Sequence, residues 1–136
     1  KSVLEPDELI AAVLLPPAPG PQQFAKVGTR NAMVIAVCSV AVALDAERRT
    51  IGTGIGSAAP TPVRAPDGEA LSADLPWETR GELPESLARR FGELVAAAAS
   101  PIDDVRGTAA YRRQALSVLG RRTLTWAWDE YRKGTA

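Results

Sequence analysis

Residues 24–45 read FAKVGTRNAMVIAVCSVAVALD, and this stretch decides the fold. It opens on a turn-like lead-in, Lys26-Val27-Gly28-Thr29-Arg30, and runs into twelve apolar-dominated residues, Met33 to Leu44. Crossing a bilayer takes about 20 apolar residues. The run is too short for that, and it is rich in valine and other β-formers. It therefore predicts a strand buried on both faces. Lys26 then stands at the mouth of a rigid element, a good place to hold an anionic ligand. Lysine otherwise occurs only at positions 1 and 133.

Working outward, Asp45-Ala46-Glu47-Arg48 is polar and turn-like, and Arg49–Ser57 returns as a second strand, giving an antiparallel hairpin. Upstream, Glu8–Leu15 (ELIAAVLL) reads as a first strand, stopped by Pro16-Pro17. Residues 16–23 (PPAPGPQQ) form an extended loop, and Phe24–Val27 is expected to pair only briefly at a sheet edge. Downstream, Pro60, Pro62 and Pro66 end the sheet region. A short helix is expected near Asp67–Ala73, then a loop over 74–83 with Trp77 packed down onto the body.

The second half is helical. Pro84 suits a first helical turn, and Leu87, Phe91, Leu94, Val95 and Ala98 recur at helical spacing before Ser100-Pro101 ends the segment. Thr108 is the expected N-cap of a long C-terminal helix whose apolar face carries Leu116, Leu119, Thr123 and Ala127. The arginines at 112, 113, 121 and 122 are expected to face water. The predicted class is α+β: a small antiparallel sheet of about three strands in the N-terminal half, packed against a C-terminal helical layer.

The chain has 136 residues, enough for one domain with a real core. Its 16 basic residues balance 16 acidic ones, which gives no support to a nucleic-acid partner. There is no histidine and one cysteine, Cys38. This excludes intramolecular disulfides, zinc sites built on Cys/His clusters, and Ser-His-Asp or Cys-His nucleophiles. No catalytic residue and no metal ligand is therefore assigned. The chain starts with Lys and shows no signal peptide and no membrane span. It is expected to be a cytoplasmic fragment of a longer protein, with 1–136 forming one domain.

Other motifs favour structural roles. Gly52-Thr53-Gly54-Ile55-Gly56 is not a dinucleotide fingerprint, because the third glycine comes one residue early and Ser-Ala-Ala-Pro cannot open a helix well. Alternating glycines on a strand leave one face bare, either a flat seat for a helix or a docking surface for a neighbouring domain. Cys38, mid-strand among valines, reads as a small buried hydrophobe. Asp103-Asp104, between two helices, reads as a capping or ion-pairing element. Trp128 and Tyr131 are helical neighbours while Trp126 is not, so one or two of these aromatics anchor the core. Lys26 is the remaining ligand candidate, isolated in the sequence and close to Gly28.

The opening stretch also carries a family pattern: F-x-K-x-G-x-R-x-A-M-x-I-A-x-x-S-V-A-V-x-L-D, from Phe24, Lys26, Gly28 and Arg30 through to Asp45. It resembles the C-terminal domain of the FAD-binding medium subunit of molybdenum hydroxylases, the carbon monoxide dehydrogenase and xanthine dehydrogenase family. Three further segments fit in order: Glu8-Leu9-Ile10 with Leu15-Pro16-Pro17, then Pro60-Thr61-Pro62-Val63-Arg64-Ala65, then Pro101-Ile102-Asp103-Asp104-Val105-Arg106-Gly107 with Tyr111-Arg112-Arg113. Residues 73–83 depart from the pattern.

The resemblance implies a piece of an electron-transfer enzyme. Such enzymes hydroxylate a substrate at a molybdenum centre and pass electrons through [2Fe–2S] clusters to FAD. The implied partners are N-terminal FAD-binding domains of the same chain, a molybdenum-binding large subunit and an iron–sulfur small subunit. The C-terminal domain is expected to close over part of the flavin and to help dock the subunit, and to be inactive alone. By resemblance, Lys26 is a flavin contact, where a cation can stabilise negative charge on the cofactor. Ile10 aligns with a second contact, through backbone. The alternative is a non-catalytic protein–protein interaction module.

Overall fold

Alternation along Val37–Leu44 sets the architecture. The structure, a computed structural model, describes residues 3–31 and 33–134; Lys1 and the motif position Ala32 lie outside them. Three strands form one antiparallel meander in the order β1 (Gln22–Gly28), β2 (Ala36–Asp45), β3 (Thr50–Gly56). A short helix α1 (Pro66–Ala70) continues into a 3-10 turn at Leu71–Asp74, and α2 (Glu85–Ala97) and α3 (Ala109–Lys133) complete the chain. This is the expected α+β class, with a three-stranded sheet under a helical layer.

The membership of the sheet differs from expectation in one strand. Glu8–Leu15 is not a strand: it has no regular secondary structure and lies exposed, outside the sheet. Residues 22–28 take the third place, pairing along their whole length with β2 from Gln22↔Ala43 to Lys26↔Ser39 and beyond, with a register shift at Val27/Gly28. The four prolines between 16 and 21 hold the two segments apart, and a β-prone composition cannot make a strand without a neighbouring edge.

The core lies between one sheet face and the helices. Cys38, Val40, Val42 and Leu44 of β2 and Ile51 and Ile55 of β3 pack on Phe91 and Val95 of α2 and on Leu116, Leu119, Leu124 and Trp128 of α3. The long strand is thus buried on both faces only at its start, Val37 to Val40; Ala41 and Ala43 are half-exposed on the far side, and Met33 and Ile35 precede the strand in the open. In α2 the buried stripe is Ala88, Phe91, Gly92 and Val95, rotated slightly from the expected one, because small residues are needed where the helices cross. A Cβ on Gly92 would stand 2.2 Å from the Ser117 carbonyl, and one on Gly120 3.1 Å from Val95. Gly92 and Gly120 therefore let α2 and α3 touch backbone to backbone.

The expected cap is in place: the Thr108 side chain accepts from the Tyr111 N–H. Leu116, Leu119, Thr123 and Ala127 are all buried as expected. Trp77 packs edge-on against Trp128 (5.1 Å between centroids) and Tyr131 (5.4 Å), while Trp126 stays exposed. The 73–83 segment is thus pinned to α3, with Trp128 Nε1 donating to the Gly81 carbonyl at 2.9 Å.

Candidate functional site

Strand parity places Lys26 on the sheet face that the helices leave uncovered. Val40 and Val42 point into the core, so their neighbours Ser39, Ala41 and Ala43 point the other way. Through the register, Phe24 and Lys26 of β1 and Gly52, Gly54 and Gly56 of β3 share that outer face. Phe24 is 62% exposed. A Cβ on Gly52 or Gly54 would meet nothing closer than the alanine methyls at 3.9 and 3.7 Å. No helix of the described residues sits there, so the expected helix seat is corrected: the helices pack on Ile51 and Ile55, on the opposite face. The result is a flat strip of glycine and alanine, with a shallow depression of about 620 Å³ bordered by Phe24 and Arg64.

At the rim of this face the Lys26 ammonium is exposed and donates to the Val34 carbonyl at 3.0 Å. That bond ties its tip to the loop between β1 and β2. Gly28 is required by packing rather than by a ligand, since a Cβ there would lie 2.7 Å from a Val34 methyl. Ile10 is 69% exposed in the lead-in, so the structure does not gather Lys26 and Ile10 into one element. Among the described residues no group of His, Cys, Asp and Glu is arranged to hold a metal, and no helix is long and apolar enough to cross a membrane.

The outer edge of β3 is closed. The Thr53 N–H and hydroxyl both donate to Glu69 Oε1, at 2.9 and 2.6 Å, and Ile55 bridges to Val63. Glu69 also receives the Arg64 guanidinium. Burial pushes the Glu69 carboxyl up, but the bonds from Arg64 and Thr53 outweigh it and hold the carboxyl below its ordinary value.

Sequence reasoning missed a second polar centre. Arg112 was expected to face water, but it is 2% exposed, and its Nη1 donates to the carbonyls of Val37 (2.9 Å) and Ser57 (2.8 Å). Its Nη2 donates to Asp104 Oδ1 at 2.6 Å, while Arg106 grips Oδ2 of the same carboxylate. This cluster locks the first turn of α3 to the ends of β2 and β3. The side-chain and backbone hydrogen bonds from Arg106, reinforced by Arg112, hold the Asp104 carboxyl well below the usual range. Asp103 accepts from the Ala109 N–H, so the acidic pair caps and pairs ions as expected. Only the i, i+8 spacing of Asp104 and Arg112 hinted at the lock, and that spacing is not a helical-face signal. Burial raises the Cys38 thiol, against the opposing charge of Arg112, so it stays neutral and inert.

Among the described residues, the meander is covered by helices on one face and uncovered on the other, with Lys26 at the uncovered rim. Residues 23–127 match the model of the CO dehydrogenase flavoprotein C-terminal domain, and the chain belongs to that family. Solved structures share the fold. Carbon monoxide dehydrogenase from Hydrogenophaga pseudoflava, lacking the Mo-pyranopterin moiety of its molybdenum cofactor, superposes with a TM-score of 0.68 at 22% identity, over 83% of this chain and 38% of that one. Reconstituted CO dehydrogenase from Oligotropha carboxidovorans gives 0.67 at 21%, over 85% and 39%. Quinoline 2-oxidoreductase from Pseudomonas putida 86 gives 0.65 at 16%, over 79% and 36%. The chain thus spans well under half the length of these structures. No curated protein sequence matches it significantly.

Proposed function

We propose that this chain is the C-terminal domain of the FAD-binding subunit of a molybdenum hydroxylase, and that its bare sheet face closes over part of the flavin. The observation that carries the reading is the family match over 23–127, joined to an uncovered glycine–alanine face with Lys26 at its rim. The residues fit a wall of such a site, not the whole of it. The flat strip admits a planar ring or another backbone closely, and Lys26 offers one movable cation. FAD, when bound, would relay electrons from the [2Fe–2S] clusters, fed by molybdenum, to an acceptor. The N-terminal domains of the same chain would hold its phosphates, and the molybdenum and iron–sulfur subunits would be the docking partners.

In this reading Lys26 exchanges its bond to the Val34 carbonyl for negative charge on the cofactor. Hydrogen bonds to charged groups contribute about 1.5–3 kcal/mol. In the full subunit, Lys26→Ala is expected to weaken FAD retention roughly tenfold or more, or to slow reoxidation by the acceptor similarly. Lys26→Arg retains the charge and should lose less. The fold should be indifferent, because Lys26 is exposed. Flavin content and acceptor kinetics that stay at wild-type values would remove Lys26 from the site. Ile10 is proposed as a backbone contact only, set by whatever orders the lead-in. The second reading, a non-catalytic interaction module, draws on the same bare face, and an upstream domain unrelated to flavin binding would favour it.

A further inference from the structure

The loops that follow β3 and α2 enclose a cleft of about 340 Å³ that the flavin reading leaves unused. Ligand pockets run from about 300 to 1,000 Å³, so this one suits a small molecule. Its lining is apolar at Ala58, Pro60, Pro101 and Ile102 and cationic at Arg106 and Arg112. Among the described residues no carboxylate lines it. The register puts it at the same end of the sheet as Lys26: Gly28 pairs with Ala36, Gly56 pairs with Ser39, and the cleft begins at Ser57.

The charge beside this cleft is not balanced within the chain. Two guanidiniums share the single Asp104 carboxylate, which leaves one positive charge over. Asp103 lies outside the lining, and its carboxylate accepts from the Ala109 N–H. Arg112 is 2% exposed, so water screens its charge poorly, and its Nε finds no acceptor. Arg106 directs both Nε and Nη2 to the same Asp104 oxygen. Its Nη1 has no acceptor among the described residues, and the side chain is exposed enough to meet a ligand. The cleft is also held in shape. Ser57 stands at φ 57°, a left-handed conformation that a Cβ disfavours, and its carbonyl accepts from Arg112 Nη1. The Ser100 N–H donates to the Ala58 carbonyl at 2.9 Å and ties the two loops together.

A surplus cation beside apolar side chains is selective. A carboxylate meets a guanidinium with its two oxygens and needs few other partners. A phosphate brings more oxygens and more charge, which alanine and proline side chains cannot satisfy. We propose that this cleft binds a small organic carboxylate with a compact apolar body, the carboxylate on Arg106 Nη1 and the body against Pro60, Pro101 and Ile102. Arg112 adds its charge from behind without needing to touch the ligand. Binding here requires no flavin.

Sodium benzoate is the probe, followed by backbone amide NMR shifts in this 136-residue chain. Benzyl alcohol, a similar body without the charge, and inorganic phosphate, the charge without the body, are titrated beside it at constant ionic strength. Benzoate is expected to shift the amides of Ser57, Ala58, Ser100 and Ile102 saturably, with a Kd of about 10 mM or tighter. Both comparators should bind at least about tenfold more weakly. Arg106→Gln should weaken benzoate by about tenfold or more. Ile102→Asp sets a like charge at the cleft and should do the same, while leaving the Asp104 lock in place because Ile102 is exposed and takes no part in it. The absence of saturable shifts at these amides overturns the proposal. So does phosphate that binds as tightly as benzoate, which leaves only a general anion patch. Full benzoate affinity in Ile102→Asp overturns it as well.

Discussion

Arg112→Met is expected to lower stability by about 2–4 kcal/mol: leaving the buried Val37 carbonyl without its donor costs about 1–3 kcal/mol, and the part-buried bond to the Ser57 carbonyl adds a smaller loss. Methionine keeps most of the stem volume, so the loss reports the guanidinium rather than a cavity. Asp104 keeps Arg106 and is partly exposed, so its orphaning adds little. A shift of this size lowers the thermal midpoint by roughly 10 °C in a domain of this length. The exposed neighbour Arg113→Met should stay within about 0.5 kcal/mol. Urea unfolding followed by circular dichroism compares the two. Equal midpoints would mean that the lock does not hold α3 to the sheet.

The same cluster makes stability depend on acid. The folded Asp104 carboxyl lies below its unfolded value, near 3.9 for an ordinary aspartate. Its contribution is therefore complete above that value and is lost as pH falls toward the folded one. Glu69, also lowered, adds to the loss in the same direction.

Trp128→Ala is expected to cost about 3–5 kcal/mol, in the range for emptying a fully buried large aromatic site. The side chain is wholly buried, contacts the Trp77 and Tyr131 rings at 5.1 Å each, and donates to the Gly81 carbonyl. Its loss should free the 71–83 segment before the sheet melts. Limited trypsin digestion should then cut at Arg80, whose guanidinium otherwise lies 4.9 Å from the Tyr131 ring centre. Trp126→Ala, on the exposed side of the same helix, should leave both midpoint and cleavage near wild type. An unaltered digestion pattern in Trp128→Ala would separate that segment's order from the aromatic cluster.

How much of this was legible in the sequence follows from where periodicity speaks. The hairpin of β2 and β3, the Thr108 cap and the apolar stripe of α3 are local signals, and each is where it was expected, although β2 begins at Ala36 rather than Met33 and is buried on both faces only at its start. The lead-in was misread because composition shows a taste for strand but not the presence of an edge to pair with. β1 was underestimated for the converse reason: Gln22–Gly28 is weakly apolar and is made a strand by its long neighbour. Arg112 was misread because charge predicts solvent unless partners are known, and its partners come from residues 37, 57 and 104. The glycine stripe correctly marked a bare face, but which side the helices take depends on where Ile51 and Ile55 point. Lys26 stands out as a candidate through its isolation and its motif, and its place on the uncovered face is given by the register.

The most direct test of the account is the FAD content of the full parent subunit beside that of this chain. Purified under identical conditions and assayed by the visible flavin spectrum after denaturation, the parent should carry close to one FAD per chain, and this chain alone essentially none. A parent subunit that is colourless and takes up no added FAD would contradict the account.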